Sequence, residues 1–374
     1  MSQQARAIER LLERQQGVLK LKPNYVRRVY QDGGRLMGGK PGATFLPDVK
    51  LYRPERWIAS CTEATNPHPI AGEGLSRLAG SKLTLQDALQ VAGKTLLGLR
   101  RYKTHGPEFR VLLKVLDGYT PVPFHFHVGD EAVAKDPAHL GHHRFGKDEA
   151  YYFLDGPKGP CPYTHVGLYP GTTKRRLRQA LEKGNDAVLE LSPFFLQRIG
   201  EGFYLPGGIV HRPGTAFTLE IQQPSDISIR LQTEIEGRKL TPKERHADFD
   251  TIEQAMRHLD LKASTQPDII DRFRIIPRPV SRKPLRGGAE DWIFPPRLCK
   301  KFSGKRLRVR TRLTTVENQC YAMLVWKGTG QIGPHKVRAG DEFFVTHDTA
   351  QSGLRVECER GNELEIFKCF AAPL

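Results

Sequence analysis

The chain has 374 residues, with 58 lysines and arginines against 41 aspartates and glutamates, a formal net charge of +17 that excludes an acidic protein. With 39% hydrophobic and 26% charged residues it has the composition of a globular protein, and at roughly 100–200 residues per domain its length suits about two to three modules. No apolar run approaches the roughly 20 residues that span a bilayer, so no membrane partner is expected.

Taken in chain order, the opening MSQQARAIERLLERQQGVLKLK sets Ile8, Leu11 and Leu12 at helical spacing, which predicts a short amphipathic helix packed on the body. Glu9 and Glu13, and the lack of an apolar core, argue against a transit or signal peptide. The six cysteines, at 61, 161, 299, 320, 358 and 369, form no CxxC pair. Neither a zinc ribbon nor a disulfide framework is therefore expected, and the expected compartment is the reducing cytoplasm. Residues 24–105 mix loops with one amphipathic segment, LTLQDALQVAGKTLLG, whose Leu85, Ala88 and Leu89 can face a core. We read 1–105 as an N-terminal segment with helices that pack on a first barrel.

That barrel is expected over 106–235, where short apolar strands (FRVLLKVLD, TPVPFHFHV, EAYYFL, GFYLPGG, FTLEIQQ) alternate with Gly and Pro turns. One interruption, TTKRRLRQALEKGND, predicts a flanking helix that ends at Gly184-Asn185. Residues 236–299 read as a loop, a helix capped near Asp248 or Asp250, and a Pro- and Arg-rich stretch that suits a connector or a strand edge. Residues 300–374 return to short strands, so the second half repeats the first. The strand pattern predicts a mainly β fold of antiparallel sandwiches or barrels with a few flanking helices.

The chemistry concentrates in two places. In Phe124-His125-Phe126-His127-Val-Gly-Asp-Glu131, strand period two puts both imidazoles on one face and both phenyl rings on the other. About 85 residues on, Gly200-x5-Pro206-x-Gly208-x2-His211 brings a third histidine after a tight turn. Together these resemble the two signatures of the metal-binding cupins, so the fold class expected is mainly β, two cupin-type jelly-roll barrels with a few flanking helices. His142, His143, His165, His335 and His347 lack such context and read as surface or core residues. A carboxylate should complete the set, and spacing alone leaves both Glu131 and Glu149 open; such an N/O site suits Zn²⁺, Mn²⁺ or Fe²⁺.

From Glu55 onward the chain resembles the class I mannose-6-phosphate isomerases, through PERWIAS (54–60), PEFRVLLKVLDG (107–118), HFHVGDEAVA (125–134), GKDEAYYFL (146–154), LPGGIVHRPG (205–214) and LEIQQPSDISIR (219–230). The resemblance implies one zinc ion held by His127, Glu149 and His211, with Glu131 left as a neighbour. His125 stands where the family has glutamine, so the expected metal site is His125, His127, Glu149 and His211, and Mn²⁺ or Fe²⁺ stays open beside Zn²⁺. The resemblance also nominates Arg230 as the catalytic arginine and Lys147 and Asp226 as site residues; the non-catalytic alternative for Asp226 and Arg230 is an ion pair with each other. The implied reaction is aldose–ketose isomerisation of mannose 6-phosphate and fructose 6-phosphate, with a sugar or sugar phosphate as partner. A free-sugar isomerase, a non-haem iron dioxygenase and a non-catalytic sugar-binding cupin are the competing readings. Residues 300–374 have no HxH and are expected to bind no metal.

The charge is unevenly placed. Residues 272–312 hold 14 lysines and arginines against Glu290 and Asp291, whereas 121–230 hold 12 of each sign. The basic segment reads as a solvated face or as a phosphate-steering rim at the site; no nucleic-acid motif accompanies it, and oligomeric state is not encoded in any feature.

Overall fold

The computed structural model describes residues 2–283 and 285–373. Two seven-stranded antiparallel sheets pack against each other at its centre. The first runs Arg274–Ile275, Gly202–Leu205, Glu149–Asp155, Phe217–Gln222, Leu112–Leu116, Tyr52–Ile58, Tyr25–Arg28; the second runs Val18–Lys20, Glu342–Val345, Tyr321–Lys327, Leu364–Ala371, Phe302–Val309, Gly288–Phe294, Arg278–Pro279. Alternation explains why they meet. In Phe217–Gln222 every residue is buried, because Leu219 and Ile221 join Phe344, Phe367 and Cys369 of the other sheet in one apolar layer, while Thr218, Glu220 and Gln222 point into the first barrel.

A five-stranded sheet carrying His125–Phe126 and His211–Arg212 closes the first barrel, and a four-stranded sheet, Arg312–Thr315, Leu354–Cys358, Thr329–Ile332, His335–Arg338, closes the second. The outer face of the five-stranded sheet is covered by a helical layer in which Phe124 and Phe126 meet Leu177, Val188 and Phe249. The predicted flanking helix spans Lys174–Lys183, capped by Thr173 and ended at Gly184. The amphipathic segment forms Leu85–Leu97 with a Thr84–Asp87 capping box, and the opening helix is Gln3–Gln15.

Several expectations are corrected. Tyr25–Arg28 and Tyr52–Ile58, within a region read as loops around one helix, are strands of the first sheet. The opening segment reaches the second barrel, since Val18 pairs with Val345 and shields that sheet's edge. The basic connector supplies edge strands to both sheets, and Gly288–Phe294 lies wholly inside the second; Pro284 is outside the described residues. The helix expected after Asp248 or Asp250 is split, and Thr251 caps Ile252–Ala255.

At the seam between the barrels, Arg56 Nη2 lies 3.3 Å from Glu342 Oε1, yet neither carboxylate oxygen has a hydrogen-bond partner. Burial outweighs Arg56 and raises the Glu342 pKa to about 7. A carboxyl whose folded pKa exceeds its unfolded value contributes stability that is fully present below about pH 4.5 and is lost as pH rises through about 7, an effect of up to about 3 kcal/mol. Glu342→Gln is therefore expected to raise the melting temperature by several degrees at pH 8 and to leave it unchanged at pH 4.5. Equal gaps at the two pH values would contradict this origin.

Candidate metal centre

The three loops that bear the donors cross at glycines. A Cβ on Gly146 would lie 2.4 Å from Gly129 C, and one on Gly207 would lie 2.5 Å from Gly129 Cα, so only glycine lets these backbones touch. Backbone bonds lock the crossing: Lys147 N donates to Val128 O at 2.8 Å and Gly208 N to His127 O at 2.7 Å. His211 then sits directly opposite His125 in the strand pair, and Glu149 enters from the first residue of its strand.

Each imidazole is oriented by its own backbone carbonyl. His125 Nδ1 meets Pro123 O at 2.6 Å, His127 Nδ1 meets Ile227 O at 2.7 Å, and His211 Nδ1 meets Ile209 O at 2.9 Å. A carbonyl only accepts, so each Nδ1 carries the proton and each Nε2 presents a lone pair. Those lone pairs converge: His125 Nε2 is 3.2 Å from His127 Nε2, and Glu149 Oε2 and Oε1 lie 3.0 and 2.9 Å from His127 Nε2 and His211 Nε2. His211 Nε2 and Glu149 Oε2 have no hydrogen-bond partner although all four residues are buried. Burial, aided by Lys147, pushes the His127 pKa down to about 3, and burial with the neighbouring His211 and His127 holds His125 well below its usual range. Burial disfavours the charged Glu149 carboxylate, but Lys147, His127 and His211 hold it well below the usual carboxylate range. Three imidazole nitrogens and one carboxylate, all buried and facing each other, form a donor set that a cation satisfies. The group could hold a metal ion.

Glu131, the alternative carboxylate, is exposed and pairs with Lys135. His142 and His143 flank Asp248 at the surface, His165 packs between Phe124, Tyr163 and Phe194, and His335 Nε2 bonds Val18 O.

Lys147 Nζ lies 2.9 Å from Glu149 Oε2 and 3.0 Å from His127 Nε2, and Arg230, opposite His125 in register, lines the same small cavity. Asp226 lines it too but lies in coil, not on the strand of Arg230. Its carboxylate accepts from Arg28 Nη2 at 3.0 and 3.1 Å and from Thr65 N at 2.7 Å, so an Asp226–Arg230 pair does not form. Arg230 Nη1 donates instead to Glu244 O.

Sequence reasoning missed the rest of the cavity wall. Lys114 Nζ lies 3.5 Å from Glu220 Oε1 and 3.9 Å from Glu55 Oε2, and Arg28 Nε bonds Glu55 at 3.0 Å. Burial raises the Glu220 pKa to about 7 against the pull of Lys114. The available signal was a lone charge at an inward position of an apolar strand, Lys114 in LLKVL and Glu220 in FTLEIQ. Among the described residues of 272–312 none lines this cavity. Lys301 pairs with Asp130 and Asp148, while Arg286, Arg310 and Arg312 line a separate cleft.

A mannose 6-phosphate isomerase from Bacillus subtilis superposes with a TM-score of 0.67, covering 94% of this chain and 99% of that one at 18% identity. A variant of phosphomannose isomerase from Salmonella typhimurium gives 0.65, with 96% and 100% covered at 13% identity. The chain has the fold of these isomerases. No family model and no curated protein matches the sequence, so the likeness is one of architecture. No helix among the described residues is long and apolar enough to cross a membrane.

Proposed function

We propose that the chain is a metal-dependent aldose–ketose isomerase that interconverts mannose 6-phosphate and fructose 6-phosphate, with His125, His127, Glu149 and His211 holding one divalent ion, Zn²⁺ by preference. The observation that carries this reading is the convergence of three carbonyl-oriented imidazoles on Glu149; the shared fold supports the substrate class.

The reaction moves a proton between C1 and C2 through an enediol, and its barrier lies in the weak acidity of that proton and the charge that builds on oxygen. A divalent ion bound here supplies Lewis-acid stabilisation of that charge. Arg230 adds a fixed cation: its bond to Glu244 O sets the guanidinium, and it lines the cavity. Glu220 is the assigned base. Its pKa of about 7 suits proton transfer near neutral pH, and Oε1 has no hydrogen-bond partner. Lys147 holds an ammonium beside the donors, where it can bond a sugar oxygen. Asp226, tied to Arg28, positions the cavity wall and is not the base in this reading.

Coupled assays with mannose 6-phosphate and free mannose, with oxygen uptake followed in parallel, test the proposal. Turnover of the phosphate ester is expected to exceed that of the free sugar. Faster turnover of mannose would move the reading to a free-sugar isomerase, and oxygen uptake without isomerisation would make the three-histidine site an iron dioxygenase.

A further inference from the structure

Apart from the edge strands Arg274–Ile275 and Val18–Lys20, the two large sheets run through the chain in the same strand order, so their residues can be matched by register. In the first barrel Trp57 lies opposite Lys114, with Glu55 two residues before it; in the second Trp292 lies opposite Lys305, with Glu290 two residues before it. Each lysine sits over its tryptophan, at 4.7 and 4.9 Å from the ring centroid. On the next strand Glu220 faces Lys114 and Lys368 faces Lys305. Further across, Gln222 pairs with Glu149, while Met323 pairs with Lys368, which sets Tyr321 at the position of Glu149. The strand matching His125–Phe126 is Arg312–Thr315, whose inward residues are Leu313 and Thr315. The second barrel thus keeps the Lys–Trp–Glu wall of the first and has lost its metal donors.

What replaces the metal centre is a balanced ionic floor. Lys305 Nζ bonds Glu317 at 2.9 and 2.8 Å, and Lys368 Nζ contacts Thr315 at 2.7 Å, Glu317 and Glu290. Two ammonium groups meet two carboxylates, so no surplus charge is left for an ionised ligand. The hydroxyl of the buried Tyr321 has no partner. Above the floor opens a cleft of about 690 Å³, lined by Trp292, Ser303, Asn318 and Gln351 among others. The shared tryptophan also differs in exposure: Trp57 is fully buried, whereas Trp292 is only partly covered.

We propose that the second barrel carries a binding site for an uncharged polyhydroxyl ligand, a free sugar or polyol. A partly exposed indole offers an apolar face to the C–H surface of such a molecule, and carboxamides, a hydroxyl and paired ions offer donors and acceptors to its hydroxyls. Among the residues lining the cleft a phosphate ester would meet carboxylates already matched by the lysines and no unpaired cation; Arg101, which donates to Gln319, lines the neighbouring cleft instead. The inference stands apart from the isomerase reading, because none of these residues belongs to the first barrel.

The test titrates the full chain with D-mannose and with mannitol, read by tryptophan fluorescence and by calorimetry, in the wild type, His127→Ala/His211→Ala, Trp292→Ala and Gln351→Ala. The expected result is saturable binding of at least one probe, unchanged by the double histidine substitution, weakened at least tenfold by Trp292→Ala and by Gln351→Ala, and not displaced by mannose 6-phosphate from the double variant. Gln351 is exposed, so its substitution tests the site without threatening the fold. Trp292→Ala and Gln351→Ala should leave turnover of mannose 6-phosphate within about twofold of the wild type. Absence of saturable binding, loss of binding in the histidine variant, or displacement by the phosphate ester would each overturn the proposal. A chain that binds mannitol and isomerises nothing would overturn the isomerase reading alone.

Discussion

His127→Ala is expected to remove the bound metal and to lower turnover by about 10³-fold or more, because in the proposed mechanism it deletes one of four donors to the ion that stabilises the enediolate. The ring is buried and fixed by Ile227 O, so nothing nearby can replace it. His211→Ala should behave alike. His125→Gln is the informative contrast: a side-chain carbonyl can still coordinate, so the metal should stay and turnover should fall far less. His165→Ala serves as a control, since that imidazole lies among Phe124, Tyr163 and Phe194 and should retain a full equivalent of metal. Normal turnover in His127→Ala would remove the metal centre from the mechanism.

Arg230→Ala and Glu220→Gln are expected to do the opposite, keeping the metal and losing turnover by about 10²–10³-fold. The two should separate by pH. In the proposed mechanism ionised Glu220 is the active form, so wild-type turnover should rise with pH through about 7, and Glu220→Gln should abolish that limb and leave a flat, low profile. Arg230→Ala should retain the limb at reduced height, and Arg230→Lys should not restore the rate, because a point charge cannot reproduce the guanidinium held by Glu244 O. If Arg230→Ala turns over normally, the assignment of Arg230 is wrong.

Much of the centre was legible because its residues sit in local patterns. Period two carried His125 and His127 to one face, and the Gly200-x5-Pro206-x-Gly208-x2-His211 spacing marked the turn before His211, whereas the crossing of backbones at Gly129, Gly146 and Gly207 emerges only in the fold. Lys114, Glu220, Glu55 and Arg28 come from four strands and acquire meaning only when the sheet sets them side by side. Asp226 makes the same point: it lies in coil, and the guanidinium it bonds is that of Arg28, 198 positions away in sequence, not that of Arg230. The pairing of Val18 with Val345 is likewise invisible to local pattern. The +17 charge turned out to be peripheral to the centre, where the placed charges are few and matched.

Metal reconstitution tests the central claim most directly. After chelation of the purified chain, isomerisation of mannose 6-phosphate should vanish and return on addition of Zn²⁺, saturating at one equivalent per chain, with no restoration in His127→Ala. Full activity in the chelated, metal-free chain, or equal restoration of His127→Ala, would contradict it.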